Sequence, residues 1–182
     1  LQGAEHSVMP DRNEVVSFAC AAIATKGSIF VEGARQGDLR VFLNVLRKVG
    51  AGFEVRDEGI RFSHVGPLKP LAVETGVHPG FMTDWQPPFT ILLTQADGTS
   101  VVHETVYERR FDYANALKDM GAAIELFARC LGGRECRFRE RDFAHSAVIK
   151  GPTALHAKDV DVPDLRAGFS YLIAALLADG TS

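Results

Sequence analysis

The run Leu46-Arg47-Lys48-Val49-Gly50-Ala51 returns seventy-one residues later as Leu117-Lys118-Asp119-Met120-Gly121-Ala122. The same offset carries Gly27-Ser28 onto Gly98-Thr99, each ahead of an apolar run, Ile29-Phe30-Val31 and Val101-Val102. A third copy opens at Gly180-Thr181-Ser182, where the sequence ends. A period of about 70–80 residues is too long for the common solenoids, so the chain reads as repeated subdomains around a shared core.

Each copy has the same punctuation. An aspartate follows an extended segment (Asp11, Asp84, Asp164), and an apolar stretch of helical length comes next, at 15–25, 89–96 and 168–178. A glycine then closes the helix, and a β-rich run follows, with Phe30-Val31 in one copy and Val101-Val102 with Val106 in the next. A second helix follows in the first two copies. Leu39, Phe42, Leu43, Leu46 and Val49 keep the spacing of one buried face, and Ala114, Leu117 and Met120 do so less fully. Short strands are expected at 52–55, 60–63, 71–74, 123–127, 147–149 and 156–160. The unit is therefore helix, strand, helix, strand, strand, plus a linking strand. With 46% hydrophobic residues in 182, the chain can bury a core as one α/β domain. Its repeats fall at about 8–76, 77–152 and an incomplete 153–182. The missing strand and helix of the third copy lead us to expect a truncated chain, with an exposed apolar face along Phe169, Leu172, Ile173, Leu176 and Leu177.

The net charge of −3 gives no electrostatic reason to expect nucleic acid or an anionic membrane as partner. The basic residues of 134–141 alternate with Glu135, Phe138 and Glu140 and read as a solvated hairpin or loop, inside an insertion over 131–145 that Gly132-Gly133 would turn. No apolar run approaches the roughly 18–20 residues that cross a bilayer, and residues 1–10 lack the segments of a signal peptide. Cys20, Cys130 and Cys136 show no metal-type spacing, and Cys20 reads as a buried, inert thiol. The six histidines are scattered without HExxH, so no metal site is expected. Dinucleotide, P-loop and α/β-hydrolase motifs are absent. These properties suit a reduced, soluble, cytoplasmic protein.

Asp84 is the first candidate for chemistry. Aspartate is a preferred helix N-cap, which accounts for its presence in all three copies. Asp84 also lies between Pro79-Gly80 and Pro87-Pro88, a stiff frame for a general base. Arg109 and Arg110 follow the strand that begins at Val101, where ligands of α/β proteins gather, and an arginine there can hold a phosphate or carboxylate through two parallel hydrogen bonds. The alternative is a surface ion pair with Glu108. Arg166, two residues after Asp164, suits an anion near a helix N-terminus or is simply solvated.

Four motifs, in order and spacing, resemble the UDP-N-acetylglucosamine enolpyruvyl transferases. They are Val8-Met9-Pro10-Asp11-Arg12-Asn13-Glu14, Pro79-Gly80-Phe81-Met82-Thr83-Asp84-Trp85-Gln86, Glu104-Thr105-Val106-Tyr107-Glu108-Arg109-Arg110-Phe111 and Asp164-Leu165-Arg166-Ala167. The resemblance covers nearly the whole chain apart from 131–145. It implies an inside-out α/β barrel of two domains, each of three repeats with helices packed inside, and a cleft between the domains. It implies transfer of the enolpyruvyl group of phosphoenolpyruvate to the 3-hydroxyl of UDP-N-acetylglucosamine with release of phosphate, the first committed step of peptidoglycan synthesis, without metal or organic cofactor. On matching positions, Asp84 resembles the carboxylate that contacts the sugar hydroxyl, and Val106 a residue that binds the nucleotide sugar through its backbone. Arg110 resembles an arginine of the phosphoenolpyruvate and phosphate site, and Asp164 with Arg166 a further pair lining it. A trianionic substrate needs several cations held in place before reaction.

The family's cysteine loop belongs to the other domain, and none of the three cysteines matches it. Its Lys-Asn phosphate contacts and a late arginine have no counterpart here. Trp85, Pro87-Pro88 and the insertion mark a divergent branch, and the chain alone is expected to be inactive without the missing half of the same enzyme. The rival readings are transfer to a shikimate-phosphate acceptor, as in the sister family, and a non-catalytic domain that binds a nucleotide sugar or a partner.

Overall fold

Asp11 is extended, and its carboxylate accepts the amide of Asn13 at 2.7 Å, which caps helix α1 (Arg12–Ala24). The helix starts three residues before the apolar stretch, because a satisfied cap lets polar first-turn residues join it. It closes on Thr25, whose hydroxyl donates to the carbonyl of Ala21 at 2.8 Å. The left-handed residue after it is Lys26, φ 60°, and the expected glycine, Gly27, closes the helix end by donating to the carbonyl of Ala22 at 2.7 Å. After β1 (Ser28–Glu32), α2 (Gln36–Val49) does end on a left-handed glycine, Gly50 at φ 87°. Strands β2 (Gly52–Arg56) and β3 (Gly59–Ser63) complete an antiparallel sheet in the order β1-β3-β2.

This computed structural model describes residues 3–162 and 165–181, with side chains from residue 167 onward in the second stretch. The same sequence of elements recurs after the linking strand β4 (Ala72–Glu74). A 3-10 turn (Thr83–Trp85) leads into α3 (Gln86–Leu93), followed by β5 (Gly98–His103), α4 (Ala114–Asp119), β6 (Ala123–Phe127) and β7 (Ser146–Gly151). The second sheet runs β4-β5-β7-β6. Its last three members are antiparallel in the same first-third-second order, and β4 adds in parallel to β5 through Ala72 opposite Val101. The pattern starts again with β8 (Leu155–His156), α5 (Leu165–Leu177) and β9 (Ala178–Asp179). Here too the linking strand pairs in parallel with the strand that follows the helix, Leu155 opposite Ala178. Pairing in β8 stops at His156, short of the strand expected to 160, because β9 offers two residues.

Helices α1, α3 and α5, the first helix of each unit, pack on one another, with the sheets outside them. All eight residues of α3 are buried, which explains an apolar sequence with no polar face. Its Pro87 and Pro88 sit in the first turn, where amide hydrogens have no intrahelical partner to lose. Helices in the middle and sheets around them make an inside-out α/β arrangement. On α5, the expected exposed face is narrower than the sequence suggests. Ile173 is fully buried and the Phe169 ring meets Phe18 edge-on at 5.1 Å, leaving Leu172 and Leu176 exposed. Packing of α5 on α1 and α3 is the cause. No helix among the described residues is long and apolar enough to cross a membrane.

Candidate functional site

Asp84 stands on a rigid base. The turn before it closes with Gly76 donating to the carbonyl of Phe81 at 2.8 Å, and a Cβ on Gly80 would lie 2.8 Å from the Val77 carbonyl, so the turn requires glycine. The next residue, Trp85, is buried against Phe42 and Phe81, whose rings also meet Phe89. Its indole N–H donates to Asn13 Oδ1 at 3.0 Å, tying the start of α3 to the start of α1. Asp84 is not the cap residue of either the 3-10 turn or α3, which follow Met82 and Trp85. Its carboxylate accepts from Arg110 Nη2 at 2.8 Å, so capping does not explain it.

Arg110 reaches this carboxylate because Arg109 takes a left-handed backbone, φ 54°, a conformation uncommon outside glycine. The Arg110 guanidinium also donates to the carbonyl of Thr83 at 3.3 Å and lies 5.2 Å over the Tyr107 ring. At 4% exposure it is a buried cation bound to the Asp84 turn, which overturns the alternative of a surface pair with Glu108.

Glu104, which sequence reasoning passed over, organises this corner. It is fully buried, and Oε1 accepts from the Thr75 hydroxyl at 2.8 Å and from the amides of Val106 and Tyr107 at 2.8 and 3.0 Å. Oε2 accepts from the Thr83 hydroxyl at 3.0 Å. By capturing those two amides Glu104 ends β5 at His103, so Val106 lies in a turn and not in the strand that its apolar character suggested. Glu104→Gln keeps the shape but replaces one acceptor oxygen by a donor. A loss of about 1 kcal/mol is expected in urea unfolding, the net value of one such bond; no shift in the midpoint would remove Glu104 from this role.

Val106 borders a groove of about 1030 Å³ that also touches Thr75, His78, Thr105 and the insertion from Leu131 to Arg137. Its amide is taken by Glu104, and its carbonyl accepts from Arg137 Nη2. Arg110 borders a smaller depression, about 380 Å³, between Tyr107 and Tyr171 of α5. The insertion is a loop whose charged residues Arg134, Glu135, Arg137, Arg139, Glu140 and Arg141 are exposed as expected, but it is anchored from beneath. Cys136 and Phe138 are buried, and the amides of Gly133 and Arg134 bind the Glu74 carboxylate at 2.9 and 3.0 Å. Burial raises the Glu74 pKa, but these two amides and His103 outweigh it and hold the carboxyl below its usual range. Gly132 lies so close to His103 and Glu74 that a Cβ would overlap both. Gly132→Ala is expected to loosen the insertion by roughly 1–3 kcal/mol, the cost of overpacking. Faster cleavage by trypsin within 134–141 would register this, and an unchanged cleavage rate would contradict it.

Two expected site residues fall elsewhere: Asp164 and the Arg166 side chain lie outside the described residues. Histidines and cysteines scattered in sequence converge in space, with His103, Cys130, Cys136 and His145 bringing one ligand atom each within 4.8 Å of the others. Cys20 is buried as expected, and burial pushes its thiol pKa up, consistent with an inert side chain.

A family model for EPSP synthase (3-phosphoshikimate 1-carboxyvinyltransferase) matches residues 1–182. The chain belongs to the EPSP synthase family. Within this EPSP synthase family, the chain is 59% identical over 179 residues to a UDP-N-acetylglucosamine 1-carboxyvinyltransferase of Protochlamydia amoebophila, covering 98% of the chain and 38% of that protein. It is 52% identical over 177 residues to the protein of the same name from Chlamydia trachomatis serovar D, covering 97% and 40%. The chain thus spans about two fifths of the length of the curated relatives it matches. The crystal structure of the enolpyruvyl transferase NikO from Streptomyces tendae superposes with a TM-score of 0.77 at 23% identity, over 94% of this chain and 37% of that one, and shows the same fold.

Proposed function

We propose that this EPSP-synthase-family chain forms one side of the cleft of a UDP-N-acetylglucosamine 1-carboxyvinyltransferase. The observation that carries the reading is the Asp84–Arg110 pair, 2.8 Å apart on a turn made rigid by Gly80 and Trp85, in a chain 59% identical to a relative of that name. In this reading Asp84 takes the proton of the sugar 3-hydroxyl as its oxygen bonds to C2 of phosphoenolpyruvate, while an acid on the facing side of the cleft gives a proton to C3. The tetrahedral adduct then returns a proton from C3 to that group as its C2–O bond to phosphate breaks, giving the enol ether and inorganic phosphate. Arg110, held by Thr83 and Asp84, supplies a positive charge to the phosphate or carboxylate of phosphoenolpyruvate, and Asp164 with Arg166 extend that site. Val106 meets the nucleotide sugar through the second lone pair of its carbonyl, at the rim of the larger groove. The repeats at about 8–76, 77–152 and 153–182 would make up one domain, and the rest of the enzyme would supply the facing side. We assign the reaction to the cytoplasm, as the first committed step of peptidoglycan synthesis.

The test is phosphate release by a protein of the relatives' length that contains this chain. Release that requires both phosphoenolpyruvate and UDP-N-acetylglucosamine is expected, with none from residues 1–182 alone. Release with shikimate 3-phosphate in place of the nucleotide sugar would move the chain to the sister reaction.

A further inference from the structure

We propose that His103, Cys130, Cys136 and His145 form a closed structural site for a divalent metal of the zinc type, which fastens the insertion to the end of β5. Their four ligand atoms all lie within 4.8 Å of one another. Bonds of about 2.0–2.3 Å place tetrahedral ligand atoms about 3.3–3.8 Å apart, so closure needs side-chain shifts of about 1 Å. Both histidines are fully buried and Cys136 is 6% exposed.

Each histidine is prepared for a metal through its other nitrogen. His103 Nδ1 contacts Glu74 Oε2 at 3.3 Å, and its buried Nε2 has no hydrogen-bond partner among the described residues. His145 Nδ1 reaches the carbonyl of Phe143 at 3.1 Å, leaving Nε2 beside Cys130 Sγ at 3.4 Å. A carboxylate or carbonyl behind an imidazole fixes the tautomer that presents Nε2 as a ligand. Cys136 Sγ accepts the amide of Phe138 at 3.4 Å, which fixes the direction of its side chain. A buried imidazole nitrogen facing two thiols and a second imidazole has no use in packing alone, since an unpaired polar atom costs about 1–3 kcal/mol. Two thiolates with two imidazoles select zinc over magnesium or calcium, which prefer oxygen. Binding would release the two thiol protons to solvent and leave a neutral centre.

The Cys130 and Cys136 ligands bracket the turn whose Gly133 and Arg134 amides hold Glu74. The metal and that carboxylate would therefore clamp the wall of the larger groove together. All four protein ligands are present, which marks a structural and not a catalytic centre.

The test takes the whole natural protein that contains this chain, reduced, loaded with zinc and dialysed, and measures metal by mass spectrometry. Cobalt(II) loading then reads the ligands through thiolate charge-transfer bands and intense tetrahedral visible bands. One bound metal that is lost in Cys136→Ser and kept in Cys20→Ser is expected. Glu74→Gln is expected to weaken cobalt binding roughly 10- to 100-fold while the band shape stays, as for other outer-shell partners. If Cys136→Ser fails to fold, the wild-type cobalt spectrum and its loss to a chelator decide the question in its place. A reduced, folded wild-type protein without these bands, or with Cys130 and Cys136 joined as a disulfide under the same conditions, would overturn the site.

Discussion

Arg110→Ala in the full-length protein is expected to lower the turnover number for phosphate release roughly 10²- to 10³-fold, the usual cost of removing one donor aimed at developing charge. Two losses combine. In the proposed reading the phosphate or carboxylate of the substrate loses a nearby positive charge, and Asp84 loses the guanidinium bound to it at 2.8 Å. Arg110→Lys retains charge but not the fork, which now spans the Thr83 carbonyl and Asp84, so it is expected to fall between the wild type and alanine. Because the side chain is buried, circular dichroism must first show each variant folded. Turnover unchanged within error in a folded Arg110→Ala protein would remove Arg110 from the site and, with it, the main support for the assignment of Asp84.

Trp85→Ala is the substitution expected to cost the fold most. It empties a site packed by Phe42 and Phe81, and aromatic-to-alanine changes in cores cost about 3–5 kcal/mol. At about 2–4 °C per kcal/mol for a chain of this size, the melting temperature should fall by roughly 6–20 °C. The change also cuts the bond to Asn13, so α1 and α3 lose their common anchor. Trp85→Phe keeps most of the volume and loses only that bond, about 1 kcal/mol. Trp85 is the only tryptophan, so both variants are followed by circular dichroism and not by fluorescence. A Trp85→Ala melting point equal to that of the wild type would show that the turn carrying Asp84 is held by something else.

The repeat was legible because each unit solves the same local problem. An apolar first helix in each unit, and in the first two a second helix with one buried face, are written in periodicity, and periodicity survives without knowing the neighbours. Local pattern misleads where a side chain from elsewhere competes for the backbone. Val106 looks like a strand residue until Glu104 takes its amide. Residues 131–145 do form a loop with exposed charges, but nothing local shows that Glu74 anchors it through the amides of Gly133 and Arg134. Asp84 looks like a cap until Arg110, twenty-six positions away, binds it.

The sequence by itself determined the unit, its repetition and the family, since these rest on spacing within short stretches. Tertiary structure alone decided which of the candidate site residues meet. Asp84 with Arg110, Glu74 with His103, and His103 with the Cys130, Cys136 and His145 group lie 26 or more residues apart and are brought together by the pairing of β4 with β5 and the fold of the insertion. Hydrogen bonds and metal ligation act over about 2–4 Å, and no pattern of spacing encodes so short a distance between such remote residues.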